Sequence, residues 1–98
     1  MTERSGSFFC YILRCADGSY HVGATTDVRA GVDAHNAGRG ARFSACRRPV
    51  TFVYSEPFGT MGQARKREIQ ISKWSRAKKE ALIAGDKRRL HELSRRRR

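Results

Sequence analysis

The sequence predicts an α+β fold, a three-stranded antiparallel sheet flanked by helices, from three observations. Two runs rich in aromatic and branched residues, Phe8–Arg14 and Ser19–Ala24, are joined through Asp17-Gly18, a strong hairpin signal because both residue types tolerate positive φ. A third run of this kind, Val50–Ser55, stands alone and is expected to end at Pro57. The remaining segments carry helix-period spacing bounded by capping and stop residues. At 98 residues the chain has room for one domain with a modest core.

The elements follow in order. Residues 1–7 read as a flexible polar leader, 8–94 as the domain and 95–98 as a basic tail. After the hairpin, Thr26 or Asp27 can cap a helix that runs to Ala37 and stops at Gly38. Its Val28, Val32 and His35 share one face, and Gly31 inside it costs about 1 kcal/mol against alanine. Close packing is the ordinary reason for such a glycine. The loop Gly38–Pro49 holds four arginines and Phe43, a composition suited to phosphate contacts with a ring available for stacking or for the core. Thr60 and Gln63 form a capping box for a helix over Met61–Trp74. Ser75 caps another that closes at Gly85, and Asp86 starts a last one with Leu90 and Leu93 turned to the body.

Charge narrows the class of partner. Lysine and arginine number 21 against 9 acidic residues, a net charge of +12; without Arg95–Arg98 the balance is still 17 against 9. A basic body of this kind suits a polyanion, nucleic acid in particular. No apolar stretch is long enough to span a bilayer and the N-terminus is too polar for a signal peptide, so a cytoplasmic protein is expected. Cys10, Cys15 and Cys46 lack metal-ligand spacing and read as reduced thiols.

Two features point to chemistry. Alternation turns Tyr20, Val22 and Ala24 to one face of the second strand and Ser19, His21 and Gly23 to the other. Whether Tyr11 of the first strand joins His21 depends on a register the residues leave open. On the Met61–Trp74 helix, Ala64, Glu68 and Ile71 share a face, which aims a carboxylate inward. Such a group needs a metal ion or a cationic partner among the arginines.

The pattern resembles the GIY-YIG nuclease superfamily, specifically its small stand-alone members, from about Phe8 to Gly85. Phe9-Cys10-Tyr11-Ile12 and His21-Val22-Gly23 stand at its two signature motifs. Thr25-Thr26-Asp27, His35-Asn36-Ala37-Gly38, Arg47-Arg48-Pro49-Val50, Arg67-Glu68 and Trp74–Lys79 match further segments. The resemblance implies a metal-dependent endonuclease acting on DNA, with branched or damaged DNA among the candidate substrates. It implies catalytic roles for Tyr11, His35 and Glu68, with Glu68 holding one Mg2+ or Mn2+ ion. Two positions depart from the catalytic pattern: His21 replaces a tyrosine that helps deprotonate water, and Gly31 replaces a phosphate-binding arginine. An imidazole, with an ordinary pKa of about 6.5, is a chemically reasonable base at that position. The downstream amide position of the family falls on Glu80. Nucleic-acid contacts are expected from Arg39, Arg42, Arg47, Arg48, Lys73 and Arg76, with Arg42, Arg47 or Arg48 replacing the missing cation. Two other readings keep the scaffold: a binding module with weakened or lost turnover, and an RNA-associated protein that binds through its arginine-rich tail.

Overall fold

A computed structural model describes residues 7–37 and 48–95. The expected leader (but for Ser7), most of the arginine-rich loop and the last three residues lie outside the described residues. Three strands, β1 (Phe8–Arg14), β2 (Tyr20–Thr25) and β3 (Thr51–Phe58), and four helices, α1 (Val28–Asn36), α2 (Met61–Ser72), α3 (Arg76–Ala84) and α4 (Lys87–Arg95), follow in the order β1-β2-α1-β3-α2-α3-α4. The sheet order is β2-β1-β3; both pairings are antiparallel, as the sequence predicts. Helix α4 takes in Arg95, the first residue of the expected tail.

The hairpin closes differently from a two-residue Asp-Gly turn. Cys15 N–H donates to Ser19 O and Gly18 N–H to Cys15 O, each at 2.8 Å, which leaves a three-residue loop, Ala16-Asp17-Gly18. Of these only Gly18 takes positive φ, at 89°, the geometry of a type I turn followed by a left-handed residue. Asp17 instead uses its carboxylate, which accepts from the Ser19 N–H at 3.0 Å, an Asx-type local bond.

Strand β1 is covered on both faces, which is why Cys10, Tyr11, Ile12 and Leu13 are consecutively buried. Cys10 and Ile12 pack with Val22, Ile71 and Leu82 under α2 and α3, while Tyr11, Leu13, Cys15 and Val50 pack with Val28 and Val32 under α1. Strand β3 continues through Pro57 to Phe58 rather than ending before it. Among the described residues it is an edge strand that pairs with β1 alone, and an edge has positions where the missing N–H of proline costs no ladder bond.

The helix boundaries have local causes. Asp27 Oδ1 accepts from the Ala30 N–H at 3.1 Å and so starts α1. Thr60 Oγ1 accepts from the Gln63 N–H at 3.1 Å while Gln63 Oε1 accepts from the Gly59 N–H, also at 3.1 Å, close to the predicted capping box. Ser75 caps α3, and Gly85, at φ 72°, ends it in the left-handed conformation. Asn36 holds the start of β3: its Oδ1 accepts from Val50 N–H at 2.6 Å and its Nδ2 donates to Val50 O at 3.3 Å.

Cysteine chemistry departs from the expectation of three reduced thiols. Cys15 is disulfide-bonded; proximity in space decides this, and spacing along the chain does not display it. Cys10 is a free, fully buried thiol, pushed up to about 12 first by burial and then by the charge of Glu56. No helix among the described residues is long and apolar enough to cross a membrane.

Candidate active site

Register settles the face that the residues alone leave open. Tyr11 lies opposite Gly23 and Leu13 opposite His21, so Tyr11, Leu13, His21 and Gly23 all point to the α1 side of the sheet. The rings of Tyr11 and His21 meet edge to face, with centroids 6.3 Å apart and planes at 64°. His21 Nε2 is buried.

Two glycines border the phenol, and one of them makes room for it. A Cβ at Gly23 would lie 2.6 Å from the Tyr11 hydroxyl and 2.7 Å from its Cζ. A Cβ at Gly31 would lie 3.7 Å from the same hydroxyl, an ordinary van der Waals contact. The Tyr11 hydroxyl therefore sits between β2 and α1, close to both backbones. Gly23 is a requirement of close approach, whereas Gly31 is not. No spacing along the chain signals this difference, because it depends on which residue faces Tyr11 across the strands.

Glu68 projects from α2 with its side chain one-quarter exposed. It makes a 3.7 Å ion-pair contact with Arg65, which is 63% exposed, a long and solvated interaction of little consequence. Its charge is felt at the Tyr11 phenol: burial first, then the Glu68 carboxylate, pushes that hydroxyl above the usual tyrosine range. Tyr11 thus stays protonated at neutral pH and can donate a hydrogen bond.

The carboxylate that is strongly paired with arginine is Glu56. Arg67 Nε donates to Glu56 Oε1 at 2.8 Å and Nη2 to Oε2 at 3.0 Å, a bidentate pair, and the Tyr54 hydroxyl donates to Glu56 Oε2 as well. The Arg67 guanidinium lies 5.2 Å from the Trp74 ring centroid, and Lys78 Nζ lies 4.2 Å from it. This network fastens α2 to β3, and the neighbouring Glu68 has no bidentate pairing of this kind among the described residues.

Other expected site residues are distributed less compactly. His35 lies on α1, one turn beyond Gly31. Arg48 and Lys73 are exposed. Arg76 is committed within the protein: its Nη1 donates to Gly18 O at 2.8 Å, its Nε pairs with Glu80 at 3.1 Å, and its guanidinium covers the Tyr20 ring at 4.8 Å. Glu80, which also accepts from the Tyr20 hydroxyl at 3.2 Å, serves this latch between α3 and the hairpin. Arg39, Arg42 and Arg47 lie outside the described residues. Among the described residues no group of three or more histidine, cysteine or acidic side chains could enclose a metal ion.

A family model described as the GIY-YIG catalytic domain matches residues 7–81. UPF0213 proteins of Staphylococcus aureus are 47% identical over 77 residues, covering 79% of this chain and 94% of their own length. The solution structure of a UPF0213 protein from Bacillus halodurans aligns with a TM-score of 0.52 at 35% identity, over 81% of this chain and 84% of that one. A second solution structure, of a protein from E. faecalis, aligns with a TM-score of 0.55 at 36% identity, over 87% and 90%.

Proposed function

The chain belongs to the GIY-YIG catalytic-domain family, and from that premise we propose that it is a metal-dependent endonuclease that hydrolyses phosphodiesters in DNA. The observation that carries the reading is the placing of Tyr11 and His21 on one face, ring against ring, with the charge of Glu68 acting on the Tyr11 phenol. A nuclease family makes nucleic acid the substrate class, and the charge of +12 suits it.

The residues divide the chemistry among them. His21 is the base that takes a proton from water as its oxygen bonds to phosphorus and the scissile P–O ester bond breaks. Tyr11, held neutral, donates a hydrogen bond that orients the water or a phosphoryl oxygen. His35, on the same helix as Gly31, contributes to positioning the phosphate. Glu68 would hold the divalent ion. A single carboxylate on a partly exposed side chain fits Mg2+ or Mn2+, hard ions that keep several waters and add substrate phosphates to few protein ligands. It does not fit zinc, which prefers a closed set of nitrogen and sulfur donors. When bound, the ion supplies charge stabilisation for the leaving oxygen.

The absent arginine at position 31 favours a second reading, a binding module with weakened turnover, because loss of a phosphate-contacting cation can cost orders of magnitude in rate. One experiment decides between them. Plasmid, single-stranded, branched and damaged DNA and RNA are incubated with the protein in Mn2+ or EDTA, alongside Glu68→Gln. Cleavage of DNA that needs Mn2+ and vanishes in a folded, DNA-binding Glu68→Gln protein is the expected result. Absence of cleavage on every substrate, or cleavage unchanged in Glu68→Gln, overturns the nuclease reading.

A further inference from the structure

A cavity of about 500 Å3 lies away from the candidate active site, lined by Phe58 at the end of β3 and by Gln63, Lys66, Arg67 and Gln70 of α2. At about 100° per residue, Glu68 lies roughly 140° around the helix axis from Gln63. The cavity and the candidate metal ligand thus occupy different sides of α2. Its size falls within the range of small-molecule pockets.

The free hydrogen-bonding groups of the lining are mainly donors. Gln63 Oε1 accepts from the Gly59 N–H at 3.1 Å, and Gln70 Oε1 accepts from Arg67 Nη1 at 2.7 Å. A backbone N–H and a guanidinium can only donate, so these bonds fix the orientation of both amides and engage one lone pair of each oxygen. The donors free for a ligand are the NH2 group of each glutamine and the ammonium of Lys66. The nearby Glu56 carboxylate is taken up by Arg67 and Tyr54. An aromatic ring beside a set of donors calls for a flat ligand rich in acceptors. On the same outer side of α2, Lys66 and Lys73 flank Ile69, which is 56% exposed, an arrangement of cations for phosphates and apolar surface for bases.

We propose that this cavity holds an unpaired base of a DNA single strand, stacked on Phe58, and that it favours bases bearing carbonyl acceptors, thymine over cytosine. Thymine offers O2 and O4, whereas cytosine presents an N4 amino donor where thymine has O4. An amide NH2 of Gln63 or Gln70 at that position meets an acceptor in the first case and a like donor in the second. The proposal deepens the nuclease reading, on which it rests for the substrate alone: a strand anchored here leaves the duplex arm of a branched DNA for the Tyr11–His21 side.

The test measures fluorescence anisotropy of labelled dT12 and dC12, an RNA U12, and a blunt duplex, with the wild-type protein, Phe58→Leu, Gln70→Ala and Glu68→Gln. Leucine retains much of the packing of Phe58 against the core but has no π face, and exposed Gln70 can be changed without touching the core. The expected results are dT12 binding about tenfold tighter than dC12, a loss of about tenfold for dT12 in Phe58→Leu with duplex affinity unchanged within about twofold, and a dT12 to dC12 ratio near one in Gln70→Ala. A tenfold change corresponds to the low end of the energy of one stacked base. Equal affinities for dT12 and dC12 in the wild type, or equal weakening for single strand and duplex in Phe58→Leu, overturn the proposal. Tighter binding of U12 than of dT12 overturns the assignment to DNA. Glu68→Gln keeps the dT12 preference in every case. A protein that cleaves nothing yet shows the Phe58-dependent preference refutes the nuclease reading and leaves this site standing.

Discussion

At position 23 the sequence has no freedom to add even a methyl group, because the Tyr11 ring occupies the space. With its Cβ 2.6 Å from the Tyr11 hydroxyl and 2.7 Å from Cζ, alanine would force a buried ring to move. Gly23→Ala is expected to lower stability by about 1–3 kcal/mol and to reduce cleavage by displacing Tyr11; urea unfolding and a single-turnover assay read the two effects. Gly31 behaves differently. Its added Cβ meets the Tyr11 hydroxyl at 3.7 Å, a contact that needs no adjustment, and a helix interior gains up to about 1 kcal/mol when glycine is replaced by a good helix former. Gly31→Ala is therefore expected to fold with unchanged or higher melting temperature, and Gly31→Arg to match it where its longer side chain clears the Tyr11 hydroxyl. The arginine restores a cation one turn before His35, so cleavage should rise without tighter ground-state binding if the guanidinium acts on developing phosphate charge. A folded Gly31→Arg protein with the wild-type rate would show that no cation is missing at that position.

Besides the packing of Ile71, the charged junction of Arg67 with Glu56 ties helix α2 to the sheet, and its protonation should be visible in stability. Burial pushes the Glu56 carboxyl up, but hydrogen bonds from Arg67 and Tyr54 and the Arg67 charge outweigh it and hold the group below the usual glutamate range. A carboxylate depressed in the folded state contributes stability that is present above its unfolded pKa of about 4.3 and lost as pH falls through the folded value. Acid unfolding should therefore show a component below about pH 4.3 that Glu56→Gln removes. Arg67→Met leaves a partly buried carboxylate without its guanidinium and should cost about 1–3 kcal/mol at neutral pH, less than for a fully buried pair because both side chains retain about one-fifth exposure. Chemical denaturation at about pH 3, 4 and 7 brackets that value and checks the sign: a pH profile of Glu56→Gln parallel to wild type would exclude this junction as the source. The free thiol in the same core, Cys10, needs no chemical role, since burial keeps it protonated and enclosed.

The whole molecule combines a scaffold that is legible in the chain with a site that is only partly so. Strand alternation, the hairpin glycine and the Ser75 and Gly85 caps are local signals, so element order and sheet composition follow from them. Tyr11, His21 and Glu68 stand out as residue types in motif positions. That Tyr11 and His21 share a face depends on the β1–β2 register, and the reach of the Glu68 charge to Tyr11 depends on the crossing of α2, neither of which local spacing encodes. The same holds for the Glu56–Arg67 pair, eleven residues apart across a strand and a helix, and for the Cys15 disulfide. Charge is the molecular property that the sequence states without any fold. Deleting Arg95–Arg98 lowers the net charge from +12 to +8 and leaves the body basic, so its effect should be electrostatic and indifferent to sequence. All duplexes should bind more weakly by the same factor, and the slope of log affinity against log salt should become shallower by about 0.9 for each phosphate that is no longer neutralised. The preference of the Phe58 cavity for dT12 over dC12 should survive, since a uniform decrease in counterion release cancels from the ratio of two strands of equal length and charge. Titrations at about 50 and 200 mM salt measure both quantities. Unchanged duplex affinity at the lower salt would remove these arginines from the nucleic-acid interface, whereas a shifted dT12 to dC12 ratio would place them at the base-reading site.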